Sequence, residues 1–332
     1  MGSMNNTIEI PVIDISARNA EAPKQLLAAA RDFGFVFISN ENEAGISPDL
    51  IAQQFAISKQ FFALPTEIKA QVSIASNEAG KNHGWLSQGV EKLDPATQKR
   101  PDVKEAFNIS LPNADGTFEQ PLPEPIASGL SSVIEFENAC HELCQRILEK
   151  FAIALEIESD WFTSRHDPSK GSLGSIFRYL YYPALSSSND EIDVRAGAHS
   201  DYGSITCLFQ SPGQPGLEIK TPGEAWAPVP VDPLGKGGPL PILVNIGDLL
   251  EDWTGGLLKS TVHRVVFPKV DPGDRYTIAY FCHPLDEALL EPVPSRIVKD
   301  FAEKNGRSDA GKAGITARDH LMERLAATYK IK

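Results

Sequence analysis

Three side chains of this 332-residue sequence have the types and spacing to hold a metal ion: His199, Asp201 and His263. His199-Ser200-Asp201 is a His-x-Asp pair, and on an extended segment residues i and i+2 face the same way, so imidazole and carboxylate can converge on one ion. His263, in the strand-like run Thr261-Val-His-Arg-Val-Val-Phe267, would supply a third ligand from another strand. With 7 His and 20 Asp in the chain, chance alone yields a His-x-Asp about 0.4 times, so context has to decide. Ala198 precedes the pair and an apolar run, Ile205 to Phe209, follows it. Two neutral imidazoles and a carboxylate on one face of an ion leave the opposite face open, which suits Fe(II) and O2 chemistry. A catalytic zinc uses the same ligand types, so ligand identity leaves both metals open.

A second cluster sharpens this. Beyond the turn-like Asp271-Pro-Gly-Asp274, Arg275-Tyr-Thr277 opens an apolar strand on which Arg275 and Thr277 share a face. A guanidinium with a hydroxyl beside it is a cradle for a carboxylate. The chain has 31 basic and 44 acidic residues, a net charge of −13, so a dianionic co-substrate needs such a local anchor against the overall field. The same charge argues against nucleic acid and against an anionic membrane surface as partners. No run of ~18 apolar residues offers a membrane span. Four Cys without CxxC spacing or disulfide density point to a reduced, cytoplasmic compartment. Met1 to Ser3 read as an addition ahead of a natural start at Met4.

The elements that must position these residues fall into two textures, changing near residue 172. The first half is mostly helical. Ala22 to Phe33 places Leu26, Leu27, Ala30 and Phe33 on one face until Gly34 stops it; Phe35 to Ile38 reads as a buried strand, Asp49 to Phe62 as a helix ended at Leu64-Pro65, and Ser131 to Ile157 as the longest core-facing helix. Cys140 and Cys144 on that helix read as small buried hydrophobes. From Ser175 the pattern is short strands between turns: Ile176–Tyr182, Ser204–Phe209, Leu217–Lys220, Ile242–Ile246, Thr261–Phe267 and Tyr276–Cys282, spacing that suggests a sandwich or barrel. A capping-box-like Thr316-Ala-Arg-Asp319 opens a closing helix with Leu321, Leu325 and Tyr329 at four-residue intervals. The Gly84-Trp85-Leu-Ser-Gln-Gly89 segment reads as a lid or an ordinary surface loop.

The array His199-x-Asp201, His263, Arg275-x-Thr277 resembles the Fe(II)/2-oxoglutarate-dependent dioxygenases, in the branch similar to isopenicillin N synthase and the plant flavonoid and gibberellin oxidases. Further matches are Ile10-Pro-Val-Ile-Asp14, Gly34-Phe-Val-Phe-Ile38, Phe61-Phe-Ala-Leu-Pro65 with Glu67 and Lys69, Tyr181-Tyr-Pro183, and Asn245-Ile-Gly-Asp248. The resemblance implies a double-stranded β-helix, a mainly β jelly roll with α, wrapped by N-terminal and C-terminal helices. Its regions would be 4–171, 172–290 and 291–332 within one structural unit, a monomer or weak oligomer. It implies Fe(II) on His199, Asp201 and His263, and 2-oxoglutarate salt-bridged through its distal carboxylate to Arg275. Thr277 stands where the family usually has Ser, and Tyr182 matches a tyrosine that reaches the co-substrate. O2 would be consumed, succinate and CO2 formed, and ascorbate would serve as a reductant. Hydroxylation is the default outcome; desaturation, ring closure and ring expansion use the same site, and secondary-metabolite biosynthesis is the expected setting. The alternatives are an Fe(II)/O2 oxidase of this fold without 2-oxoglutarate, and a non-catalytic ligand-binding jelly roll.

Three departures stand out. His263 lies 64 residues after His199, a longer separation than the family's, with Asp232 to Pro239 as the inserted loop. Leu180 replaces an Asn of many plant members. An Asn-His-Gly is absent from Ser39 to Gly45. By alignment to the family the substrate pocket includes Asn108, Arg178 and Phe281. An aromatic wall with one cation would suit a small, partly aromatic molecule with an anionic or polar oxygen, such as a phenol, polyketide or nucleobase.

Overall fold

A computed structural model describes residues 8–41, 45–74, 82–94, 96–113, 115–184, 194–267, 273–307 and 314–329. Met1 to Ser3, part of the Ser39 to Gly45 stretch, and Asp271 and Pro272 of the expected turn lie outside them. The strands are β1 (Val12–Ile13), β2 (Phe35–Ile38), β3 (Gly84–Leu86), β4 (Glu105–Ser110), β5 (Ile176–Tyr182), β6 (Ala196–His199), β7 (Ile205–Gln210), β8 (Leu217–Lys220), β9 (Trp226–Pro228), β10 (Ile242–Ile246), β11 (His263–Val265) and β12 (Arg275–Cys282). The helices are α1 (Ala22–Asp32), α2 (Pro48–Phe62), α3 (Thr66–Ala70), α4 (Glu124–Ser128), α5 (Leu130–Ala154), α6 (Asp248–Trp253), α7 (Arg296–Lys304) and α8 (Ala317–Tyr329).

Among the described residues the strands form a major sheet, ordered β1-β2-β10-β7-β12-β5-β4-β3, and a minor sheet, β6-β11-β8-β9. Strand period two gives each strand of the major sheet two faces, and here both are covered. Phe35, Phe37, Leu243, Leu180, Tyr182 and Ala279 point inward and pack with Ala196, Leu217, Ile219 and Val265 of the minor sheet. Val36, Ile38, Val244, Phe209, Ile278 and Phe177 point outward onto Leu26 of α1 and Phe136, Leu143 and Ile147 of α5. Two facing sheets around an inner core, with helices on the outer face of one, make a jelly roll. Double burial explains why Phe35 to Ile38 is apolar throughout.

The first half contributes more strand than its helical texture suggests. β1 and β2 extend one edge of the major sheet, and β3 and β4 extend the other. β4 escaped the sequence pattern because its inward face is polar: Asn108 and Ser110 line a cavity instead of packing apolarly. Its Glu105 is neutralised in place, with Lys69 Nζ at 2.6 Å and Trp85 Nε1 donating at 2.8 Å. This corrects the lid or loop expected at Gly84 to Gly89. Trp85 is 6% exposed, paired in β3 with Phe107 of β4, and tethered to Glu105, so neither a moving nor a solvated reading of Trp85 holds. Two expected signals are met closely. Gly34 has φ +69°, and a Cβ there would lie 2.3 Å from Lys259 O, so this glycine serves both the helix stop and the close passage of the chain leading to β11. Thr316 and Asp319 form a reciprocal capping box at α8.

His166 fastens the segment after α5 to the jelly roll. Its Nδ1 donates to Phe162 O at 2.7 Å, so its Nε2 accepts from Ser204 Oγ at 2.8 Å. Burial pushes its pKa from 6.5 down to about 4. Between those values the unfolded chain binds a proton that the folded one refuses, so this contribution is complete above pH 6.5 and lost as the pH falls towards 4. It is worth at most about 3 kcal/mol. Denaturant midpoints measured from pH 7 to pH 4.5 are therefore expected to fall in the wild type and to fall less steeply in His166→Gln; parallel slopes would contradict the assignment.

Candidate active site and metal centre

β6 and β11 pair antiparallel with His263 opposite His199, which brings the two imidazoles together, tilted by 53° with centroids 4.3 Å apart. His199 Nδ1 donates to Gly197 O at 2.8 Å and His263 Nδ1 to Thr261 O at 3.1 Å. Each carbonyl can only accept, so both rings carry the proton on Nδ1 and present the Nε2 lone pair. Phe35 meets the His263 ring edge-on at 5.6 Å. Asp201, just beyond β6, completes the group: its Oδ1 lies 3.8 Å from His199 Nε2 and 3.6 Å from His263 Nε2. Potential ligand atoms of the three residues all lie within 4.8 Å of one another, the one such group of three or more among the described residues.

The other oxygen of Asp201 is already committed. Oδ2 accepts from Thr206 Oγ1 and Asn245 Nδ2, each at 2.7 Å. Thr206 of β7 and Asn245 of β10 are register partners, so strand pairing in the major sheet aims Oδ1 at the imidazoles. Burial would push the Asp201 carboxyl up, but His263 and His199, with the bonds from Thr206 and Asn245, hold it below the ordinary value. Burial, reinforced by His263, pushes His199 down to about 4. Near neutral pH the site thus offers an anionic oxygen and a neutral imidazole from His199, a donor set suited to a divalent ion. Asn245 belongs to a motif quoted in the sequence, but nothing there announced its role except a polar residue within an apolar strand. The inserted loop leaves this geometry alone, turning on itself as Asp232 accepts from the amides of Gly235 and Gly237.

Arg275, Thr277 and Tyr182 come together on the inner face. Arg275 and Tyr182 are register partners, and the guanidinium lies 5.0 Å from the Tyr182 ring centroid. Arg275 is 2% exposed and Thr277 1%. Arg275 Nε donates to Gln214 O at 3.2 Å, and among the described residues no carboxylate pairs with it. A guanidinium has five N–H donors, and a buried one without an anion is costly, so the cradle fits an incoming carboxylate. Sequence reasoning missed a second buried guanidinium, Arg195, whose Nη2 donates to Gly273 O at 2.9 Å. Burial, then the charge of Arg275, push its pKa below the ordinary value.

A cavity of about 730 Å³ opens on the centre, lined by His199, Asp201 and Tyr182 and by all three expected pocket residues, Asn108, Arg178 and Phe281. Arg275, Thr277 and His263 are not among the residues that line it. The single cation expected of the pocket needs correction: Arg178 Nη2 is 2.7 Å from Glu91 Oε2, and Lys104 Nζ is 3.1 Å from the same oxygen. Lys104 also pairs with Asp102, so two cations and two carboxylates balance in this cluster. Neither Glu91 nor Lys104 sits in a motif that marks it. From the far side α8 brings Leu321, Met322 and Leu325 to the lining, and its Arg324 reaches Ser200 Oγ at 3.3 Å and pairs with Asp248.

Comparison with known proteins decides the family. Residues 10–125 match the model of the non-haem dioxygenase in morphine synthesis N-terminal region, and residues 173–284 that of the 2OG-Fe(II) oxygenase superfamily. A UPF0676 protein of Schizosaccharomyces pombe is 36% identical, covering 97% of this chain and 94% of that one. A 2-oxoglutarate-Fe(II) type oxidoreductase of Metarhizium rileyi is 30% identical over 92% of this chain and 85% of its own. The chain belongs to the 2OG-Fe(II) oxygenase superfamily. Among solved structures, full-length Neurospora crassa T7H in complex with alpha-KG superposes with a TM-score of 0.79 at 31% identity, covering 98% of each chain. The same protein has been solved with alpha-KG and thymine and with alpha-KG and 5-formyluracil. This oxygenase uses Fe(II) and 2-oxoglutarate to oxidise a small molecule, and its three-residue donor set and an Arg275 with no carboxylate partner among the described residues fit those two groups. No helix among its described residues is long and apolar enough to cross a membrane.

Removing an Oδ2 partner frees Asp201 to rotate. Asn245→Ala is expected to weaken divalent-metal binding by about 10–100-fold, read by calorimetric titration of the apo-protein with Mn(II); wild-type affinity would show that the clamp is dispensable.

Proposed function

We propose that His199, Asp201 and His263 hold the Fe(II), that Arg275, Thr277 and Tyr182 anchor 2-oxoglutarate, and that the cavity admits a small neutral ring compound bearing N–H and C=O groups, the chemistry of a pyrimidine base or a lactam. Bound Fe(II), with 2-oxoglutarate and O2, supplies the oxidant that takes a substrate hydrogen while the co-substrate leaves as succinate and CO2. The chain's own part is orientation. The two imidazoles present fixed lone pairs, Asp201 gives one oriented oxygen, and the guanidinium of Arg275 meets the far carboxylate of the co-substrate bidentately.

The substrate reading rests on Asn108. This residue is fully buried, its Nδ2 donates to Asn82 O and Oδ1 at 3.0 Å each, and its Oδ1 has no partner among the described residues. Flipping the amide would set that oxygen against two acceptors, so the assignment holds and an acceptor is left on the cavity wall for a ligand N–H. An anionic substrate is disfavoured because it would have to part Arg178 from Glu91, and breaking a buried pair costs about 3–5 kcal/mol. Phe281 supplies an aromatic face. The thymine and 5-formyluracil held by the Neurospora protein are compounds of this kind.

Two measurements follow. Arg275→Ala should raise the KM for 2-oxoglutarate at least about 100-fold, a loss in the range of a buried charge pair, while Mn(II) affinity stays near wild type; an unchanged KM would remove Arg275 from the anchor. Incubation with thymine, uracil, lactams and matched carboxylic acids should give succinate in step with a +16 Da product for neutral N–H rings, and Asn108→Leu should raise the KM of whichever ring turns over. Preference for the acids would overturn the substrate reading.

A further inference from the structure

Asp94, Gln98 and Asp102 approach the minor sheet at Gly197, two residues before His199. The approach is tight: a Cβ on Gly197 would lie 2.3 Å from Gln98 Oε1 and 2.8 Å from Asp94 N. Val103 N donates to Arg195 O at 3.0 Å beside it. At the crossing Asp102 is 1% exposed. Its Oδ1 accepts from Gly197 N at 3.1 Å and from Gln98 Nε2 at 2.7 Å, and its Oδ2 pairs with Lys104.

The peptides at Gly197 therefore have both ends in use. The N–H goes to Asp102, and the carbonyl of the same residue accepts from His199 Nδ1 at 2.8 Å. On its other side Asp102 meets a buried ion chain that ends on the cavity wall: Lys104 to Glu91 at 3.1 Å, then Glu91 to Arg178 at 2.7 Å. One carboxylate from the N-terminal region joins the residues facing the substrate to the residue that fixes a metal ligand's tautomer.

We propose that Asp102 is a positioning residue for the oxygenase reaction, holding the Gly197 backbone so that His199 keeps its Nε2 turned to the metal while Lys104 and Arg178 are kept in place along the cavity. The physical basis is that a charged acceptor makes a stronger bond to an amide than a neutral one, and partners of a metal-bound imidazole set its orientation and basicity. This rests on the reading of His199 as a ligand.

The test uses full-length apo-protein titrated with Co(II), followed by its ligand-field absorption, with thermal melts to establish the folded fraction. His199→Ala must lose Co(II) affinity; if it does not, the ligand reading fails irrespective of Asp102. Given that loss, Asp102→Ala is expected to bind Co(II) about 10–100-fold more weakly with an altered absorption band. Asp102→Asn keeps an acceptor oxygen for Gly197 N–H and should recover most of the affinity. Wild-type affinity and an unchanged band in folded Asp102→Ala would overturn the proposal. Should that variant not fold, Gln98→Ala, which removes only the neighbour that orients Oδ1, decides instead: about threefold weaker binding supports the role, and unchanged binding overturns it.

Discussion

The division of labour between the two oxygens of Asp201 is the constraint on which the rest of the site depends. A carboxylate with both oxygens free would rotate, and a metal would have to fix it on binding. Here Thr206 and Asn245 hold Oδ2 at 2.7 Å each, leaving Oδ1 to face His199 and His263. The donors come from β7 and β10 of the major sheet, and the imidazoles from β6 and β11 of the minor one. The centre therefore forms only when both sheets are in register and facing, which ties metal geometry to the fold itself.

Facing sheets need an inner core, and the helices supply the other half of that requirement. Phe136 of α5 contacts Phe177 and Phe209 with centroids at 5.3 and 5.0 Å, so α5 covers the outward face of the strands whose inward face carries Arg178 and Leu180. A strand covered on one side by helix can devote polar residues to its other side without losing its place in the sheet. β4 shows this most clearly: Phe107 and Ile109 anchor it outward, which frees Asn108 and Ser110 for the cavity.

That same division governs how much the sequence reveals. β2, β5, β8 and β10 are legible to the residue because apolar runs bounded by turns have few other structures open to them. His199, Asp201 and His263 are legible because a His-x-Asp on an extended segment is chemically distinctive, and the structure brings them together as that spacing implies. β4 and β6 are not legible, since one has a polar inner face and the other contains Gly197, which Asp94 and Gln98 approach closely. Glu91, Asp102 and Lys104 are equally hidden: charged residues in a Pro-containing stretch read as solvated loop, whereas Glu91 and Asp102 contact strands 87 and 95 positions away in sequence and Lys104 pairs with both. The expected lone cation at Arg178 failed for this reason, because the pattern of one strand does not reveal a partner 87 positions away on the same wall.

Electrostatics shows why the net charge of −13 and a dianionic co-substrate are compatible. Surface charges are screened beyond about 8–10 Å at physiological salt, so the acidic exterior acts mainly on the approach of an anion. Within the jelly roll a unit charge 4 Å from an opposite one is stabilised by about 4 kcal/mol at an effective dielectric of 20. Arg275 and Arg195 are 2% and 1% exposed, burial lowers the pKa of both and Arg275 lowers that of Arg195 further, and both have carbonyls in place of carboxylates among their described partners. A buried guanidinium without an anion is costly, so on the proposed reading of Arg275 an arriving carboxylate relieves that cost. The local term exceeds the screened global one, so the proposed anchor needs no basic surface.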